Sequence, residues 1–245
     1  MITRVEVFED ADSLAAAVAG ELLTRLATAQ ARGDEPDVVL TGGSIAERIH
    51  GVLGRHAPDA QVDWSRVGVW WGDERYVAAD SPDRNAGQAR QAFLEHVPVD
   101  ASRVHEAPAA DSGMALADAA AAYGAALEES GTGVFEVLML GIGPDGHVAS
   151  LFPGHAALAV EDRSVVAVPD SPKPPPERIS LTLPALNRSR AVWFVASGEG
   201  KAEAVARALA DDGSVDQTPA RGVTGMPDGS SEVVWFLDRA AASHL

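Results

Sequence analysis

The run Val137-Leu-Met-Leu-Gly-Ile-Gly-Pro-Asp-Gly-His-Val-Ala-Ser-Leu-Phe-Pro-Gly154 decides how the chain is read. It opens as a continuous apolar segment, as does a strand buried on both faces of a parallel sheet. Gly141, Gly143, Pro144 and Gly146 then arrive together, which no regular element tolerates. Asp145 and His147 sit inside that turn. In open α/β sheets, ligands bind outside the carboxyl ends of the strands, where this turn falls. A histidine there, with a carboxylate two residues away to hold one ring nitrogen, has the composition of a general base.

On either side of this run, strand and helix signals alternate. Leu14, Val18, Leu22 and Leu26 recur at a spacing of four behind N-cap candidates in Asp10-Ala-Asp-Ser13, which predicts a first helix closed by Gly33 and Pro36. Strands are predicted at Asp37–Thr41, Arg66–Trp71, Val165–Val168, Arg178–Leu183, Ala191–Ala196 and Glu232–Leu237. Further helices are predicted from Ile45, over Ala86–Glu95, Met114–Leu127 and Ala202–Leu209, and as a short last helix capped by Asp238. Pro172, Pro174, Pro175 and Pro176 read as a stiff exposed connection, and Asp211–Ser231 as loop. The alternation implies an α/β fold with a mainly parallel sheet and helices on both faces. With no linker or repeat in evidence, one domain over residues 1–245 is expected.

Composition narrows the functions. A net charge of −17 argues against nucleic acid or an anionic membrane as partner, although a few focused cations still suit a small anion. The chain has no cysteine, so disulfides, thiolate metal sites and cysteine nucleophiles are excluded. It has no run of 18 apolar residues, and Met1-Ile-Thr-Arg-Val-Glu-Val lacks the layout of a secretory leader, so a cytoplasmic protein is expected.

Three other strand ends carry polar, glycine-bearing turns. Gly42-Gly43-Ser44, between a strand and a helix, can present backbone N–H groups to a phosphate; taken alone, it is more often a plain turn. In Asp73-Glu74-Arg75, Arg75 is either half of a solvated ion pair or a planar fork for an anionic oxygen, oriented by Asp73 or Glu74. Lys201 follows Gly198-Glu-Gly200 at a helix start, where the macrodipole disfavours a cation unless an anion is shared. It is one of only two lysines; the other, Lys173, lies in the proline run and reads as solvated. A metal site would have to join Asp145, His147 and His155, whose spacing does not support one. No Gly-x-Ser-x-Gly elbow is present, so Ser150 does not mark a serine hydrolase.

Taken together, Gly141–Gly154, Leu40-Thr-Gly-Gly-Ser44, Gly72-Asp-Glu-Arg75 with Asn85 downstream, Arg178-Ile-Ser-Leu-Thr-Leu183 and Gly198-Glu-Gly-Lys201 resemble the 6-phosphogluconolactonase signature, within the glucosamine-6-phosphate isomerase/6-phosphogluconolactonase family. The resemblance covers nearly the whole chain. It implies a Rossmann-like fold shared with glucosamine-6-phosphate deaminases and ribose-5-phosphate isomerases. It also implies hydrolysis of 6-phospho-D-glucono-1,5-lactone without a required metal; a monomer with no cofactor is expected. By similarity His147 is expected to activate water beside Asp145, while Gly42, Gly43, Ser44, Asp73, Arg75, Arg178 and Lys201 gather the phosphate and sugar oxygens. Ile45-Ala46 stands where the family commonly has Thr-Pro, and Thr218–Gly225 matches its late segment only loosely. Amino-sugar phosphate deaminases share Gly-x-Asp-Gly-His but continue with Gly-Phe-Asn-Glu-Pro, whereas Ser150-Leu-Phe-Pro153 stands here. A deaminase or isomerase, or a sugar-phosphate-binding protein without catalysis, is the alternative.

Overall fold

The computed structural model describes residues 2–131 and 133–245; Met1, at the start of the stretch read for a leader, lies outside them. In chain order the elements are β1 Ile2–Phe8, α1 Ala11–Ala31, β2 Asp37–Leu40, α2 Ser44–His56, β3 Gly68–Trp71, β4 Asp73–Arg75, α3 Asn85–Ala92, α4 Leu116–Glu129, β5 Val137–Gly141, β6 Val165–Val168, β7 Arg178–Leu181, α5 Leu183–Leu186, β8 Ala191–Ala196, α6 Ala202–Leu209 and β9 Glu232–Asp238. Six strands form one sheet in the order β1-β9-β8-β5-β2-β3, and every neighbouring pair is parallel.

Apart from β1, these strands are buried on both faces, which is why they read as apolar runs. Alternate side chains enter opposite cores. Val38, Leu40, Val69, Trp71, Val137, Met139, Trp193 and Phe236 pack beneath α1, α2 and α3. Val39, Trp70, Leu138, Leu140, Phe194 and Trp235 face α4 and α6 on the other side. Each fully buried Leu or Phe contributes roughly 1.5–3 kcal/mol to holding these layers together. The first helix begins as its sequence indicates: the Asp10 carboxylate accepts from the Ser13 N–H (2.8 Å), and the Ser13 hydroxyl oxygen accepts from the Asp10 N–H (3.1 Å).

Three features differ from the sequence expectation. Residues Ile2–Phe8, not expected as a strand, form edge strand β1 in parallel register with β9. Its inward apolar periodicity is weak because one side of an edge strand faces solvent; Val5 and Val7 are exposed. The strand expected at Arg178–Leu183 stops at Leu181 and does not join the parallel sheet. It is the middle strand of a separate antiparallel sheet, β4-β7-β6, packed against α4. Gly72 alone separates β3 from β4: its N–H donates to Leu40 in the parallel sheet (3.1 Å), and its carbonyl accepts from Leu181 in the small one (2.9 Å). Finally, Asp238 closes a turn by accepting from the Ala241 N–H (2.7 Å) and does not begin a helix.

The strand order fixes where a site can form. From β2 the chain moves outward to β3, then returns to the other flank of β2 through β5 and continues outward through β8 and β9. The connections therefore diverge between β2 and β5, and the crevice outside their carboxyl ends is the topological switch point. The Thr41 hydroxyl ties the two ends together there by accepting from the Gly141 N–H (3.3 Å).

Candidate active site

A cleft of about 240 Å³ occupies this switch point, with Gly42, Gly43, Ser44, Asp73, Arg75, His147, Arg178 and Lys201 among the residues that line it. Three turns, after β2, β5 and β8, thus converge with strand β4, which stands where the sequence indicated a fourth turn. Asp145 stands behind His147, and Lys173 and Asn85 complete the wall.

The β2–α2 turn forms the floor of the cleft. Gly43 has φ +94°, a conformation natural to glycine, and precedes α2 with no side chain capping the helix. The Glu47 N–H donates back to Gly43 (3.0 Å), so the first N–H groups of α2 are left to face the cleft with the positive end of the helix dipole. Gly42 is pressed against the Asn85 side chain, where a Cβ would collide with the amide. The Asn85 amide nitrogen donates to the Asp73 carbonyl (2.9 Å), while its buried Oδ1 has no hydrogen-bond partner among the described residues.

Within Asp73–Arg75 the three charged side chains separate in role. Glu74 is buried and does not orient the Arg75 guanidinium. Its carboxylate accepts from the backbone N–H groups of Arg75 (2.8 Å), Asn85 (2.8 Å) and Ala86 (2.9 Å), so it pins the start of α3 against β4. Burial pushes its pKa up, against the opposing charge of Arg84. Asp73 accepts from the buried Ser150 hydroxyl (2.7 Å), which gives that serine a structural partner. Arg75 donates through Nη1 to the Asp83 carbonyl (2.6 Å) and keeps Nε without a partner among the described residues.

The β5 turn is built around His147. Its backbone carbonyl accepts from the Gly143 N–H (2.9 Å), and the Gly146 N–H donates to the Gly143 carbonyl (2.9 Å), so residues 143–147 close on themselves. Gly146 has φ +90° and its carbonyl accepts from Ala220 (3.1 Å), so the loosely matching Thr218–Gly225 segment braces this turn from outside. His147 Nδ1 lies 2.5 Å from Asp145 Oδ1, and the ring leans on Phe152 with centroids 4.6 Å apart. Burial pushes the Asp145 carboxyl up, but the hydrogen bond from His147 and the charges of His147 and Lys173 outweigh it and hold the group well below the usual carboxylate range. An ionised Asp145 has no proton to share, so in the neutral ring Nδ1 is the nitrogen that carries the hydrogen and Nε2 the one with the lone pair. Nε2 has no hydrogen-bond partner among the described residues. His155 is engaged elsewhere, with Asp170 (2.9 Å) and the Ala157 N–H (3.1 Å), and among the described residues no cluster of three metal-ligating side chains occurs.

Three basic residues complete the cleft, and of these only Lys173 was read from the sequence as solvated. Lys201 donates to the Ile142 carbonyl (2.7 Å), beside the His147 turn. Burial lowers its pKa, the charge of Lys173 adds to that, and Asp145 opposes it. The proline run is no mere exposed spacer. Arg178, buried at the start of β7, donates to the carbonyls of Pro175 (2.9 Å), Lys173 (3.2 Å) and Pro174 (3.2 Å), which leaves Nη1 on the cleft side, 3.8 Å from Asp73. Burial lowers the Arg178 pKa, against the charge of Asp73. The loop so held delivers the Lys173 ammonium to within 3.3 Å of His147 Nδ1 and 3.6 Å of Asp145. The only available signal was its rarity in a chain rich in arginine.

The fold and cleft define an α/β protein with an Asp–His pair and several basic side chains lining a cleft at the sheet's switch point. The chain belongs to the family of glucosamine-6-phosphate isomerases and 6-phosphogluconolactonases, whose model matches residues 9–235. It is 47% identical over 249 residues to the 6-phosphogluconolactonase of Streptomyces coelicolor, covering 98% of this chain and 93% of that protein. To the 6-phosphogluconolactonase of Mycobacterium tuberculosis it is 44% identical over 254 residues, covering 100% and 99%. Among solved structures, the 6-phosphogluconolactonase of Thermotoga maritima superposes with TM-score 0.82 at 26% identity, over 96% of this chain and 99% of that one. A monomeric glucosamine-6-phosphate deaminase gives TM-score 0.80 at 21% identity over 99% and 100%, a likeness of fold alone.

Proposed function

We propose that this chain is a 6-phosphogluconolactonase, a cytoplasmic enzyme that hydrolyses 6-phospho-D-glucono-1,5-lactone to 6-phosphogluconate in the oxidative pentose phosphate pathway. The observation that carries the reading is the Asp145–His147 pair, its Nε2 left to a cleft whose floor is the uncapped start of α2. The full-length likeness to proteins bearing that name adds support.

In this reading the phosphate rests on the Gly42–Ser44 turn, with Arg75 and Lys201 as cationic partners, while Asp73 and Arg178 meet the sugar oxygens. His147 Nε2 takes a proton from water as the water oxygen forms a bond to the lactone carbonyl carbon. The carbonyl π electrons move onto its oxygen, giving a tetrahedral oxyanion. The bond from that carbon to the ring oxygen then breaks, and the imidazolium returns its proton to the departing oxygen, which becomes a hydroxyl. The new carboxylic acid ionises to solvent. No cofactor is required by these steps, and a lactone is activated enough for base catalysis and orientation to suffice.

The test generates the lactone in situ and follows its loss above the spontaneous rate. His147→Ala is expected to lower kcat by about 10²–10⁴-fold, the usual contribution of a general base. Chelator is expected to leave the wild type unchanged. Full activity in His147→Ala would remove His147 from the mechanism, and ammonia release from glucosamine 6-phosphate would favour the deaminase reading.

A further inference from the structure

We infer that Lys173 is a positioning residue acting through His147: it keeps the ring unprotonated in the resting enzyme while Asp145 orients it. The inference rests on His147 being the base of the proposed reaction. A carboxylate 2.5 Å from a histidine nitrogen fixes the tautomer, but it also stabilises the imidazolium, and a ring already protonated cannot accept a proton from water. A counterweight is needed, and a cation placed against the same ring edge provides one.

The geometry meets that need. With its hydrogen directed to Asp145, Nδ1 cannot accept from Lys173, so the approach of Nζ to 3.3 Å places a like charge against the ring and does not form a hydrogen bond. The ammonium is also 3.6 Å from Asp145 Oδ1, so one carboxylate oxygen serves both cations. The position is built into the loop. The Ser171 N–H donates to the Pro176 carbonyl (2.9 Å), the Ser171 hydroxyl bonds both the N–H and the carbonyl of Lys173 (3.2 and 3.0 Å), and Arg178 holds three successive carbonyls. Prolines on both sides of Lys173 restrict the backbone further.

The other charges around the turn do not replace it. Lys201, at the start of α6, is bonded to the Ile142 carbonyl, and Arg207 of α6 to that of Pro144 (2.9 Å). Asp73, Arg75 and Arg178 share the cleft and have the partners described above. The Lys173 side chain is 40% exposed, so solvent screens its effect. A charge at this range and screening corresponds to about one pH unit. The same repulsion makes the imidazolium, once formed, a readier donor to the departing ring oxygen.

The experiment follows two readouts in the full chain: the titration of the His147 ring by NMR, assigned with a His147→Gln variant, and the pH profile of kcat/KM on lactone generated in situ. In Lys173→Met and Lys173→Gln, the titration midpoint and the acid limb are both expected to rise by about one pH unit. Lys173→Arg should restore the wild-type limb, whatever the height of the high-pH plateau. A midpoint that stays or falls overturns the inference. So does a plateau lowered at every pH with the limb in place, which would mark Lys173 as a substrate contact. If the wild type hydrolyses no lactone, the proposed function fails, while the NMR midpoint still decides whether Lys173 governs the ring.

Discussion

Gly143 shows how closely the Asp145–His147 pair depends on what is absent beside it. A Cβ built at this position would fall inside the contact distance of both His147 Nδ1 and Asp145 Oδ1, so only glycine lets the turn fold back on itself. Gly143→Ala is therefore expected to displace the ring and lower kcat/KM by about 10²-fold or more, the scale of a lost general base. Because the turn lies beyond the carboxyl end of β5, outside the sheet itself, thermal unfolding should change by only a few degrees. A variant with wild-type kinetics would show that the pair tolerates movement the geometry forbids. Residue roles were legible where glycine and a chemically capable side chain fell within a few positions, as in Gly141–His147. Lys173 was not, because its partners arrive from a turn 26 residues away through a strand pairing that local sequence does not encode.

At the scale of elements, five of the six parallel strands were readable as apolar runs, β1 being the exception, and the long helices were readable because each buries a periodic apolar face. The antiparallel β4-β7-β6 sheet was not. Asp73–Arg75 is a charged triplet and becomes a strand only because Gly72 hands the chain from one sheet to the next. Helix α2 carries a second kind of hidden information. Its start lines the cleft, and six residues on it carries His50, which is buried and whose Nε2 has no partner among the described residues. Burial lowers the His50 pKa to about 4. The folded state thus disfavours the charged ring, whereas the unfolded chain protonates it near pH 6.5. The stability this confers is full above that value and declines as pH falls toward 4, by on the order of 3 kcal/mol. Urea unfolding between pH 4 and 7 should show a steeper loss in wild type than in His50→Leu, which has nothing to protonate there. Equal slopes would mean that His50 does not contribute to the acid limb of stability.

For the whole molecule, the relevant question is what happens at the two edges of the sheet, since open edges invite pairing between copies. The outer edge of β3 is covered: Val69 bridges Val104 in parallel, and the His105 N–H donates to the Val69 carbonyl (2.9 Å). At the β1 edge, Arg4 pairs with Glu6 (2.8 Å) and with Glu232 of β9 (3.3 Å), which places charge along one face of the strand. Val5 and Val7 are exposed at 41% and 53%, too small a patch to drive association unaided. A net charge of −17 repels a second copy further, most strongly at low salt. The chain is accordingly expected to remain a monomer of 25.4 kDa, measured by light scattering at low and at physiological salt. A mass of twice that would overturn the expectation. In that case Val5→Lys and Val7→Lys, which put like charges on the β1 edge, should return the monomer if the two copies meet there; if they do not, the contact lies on another face.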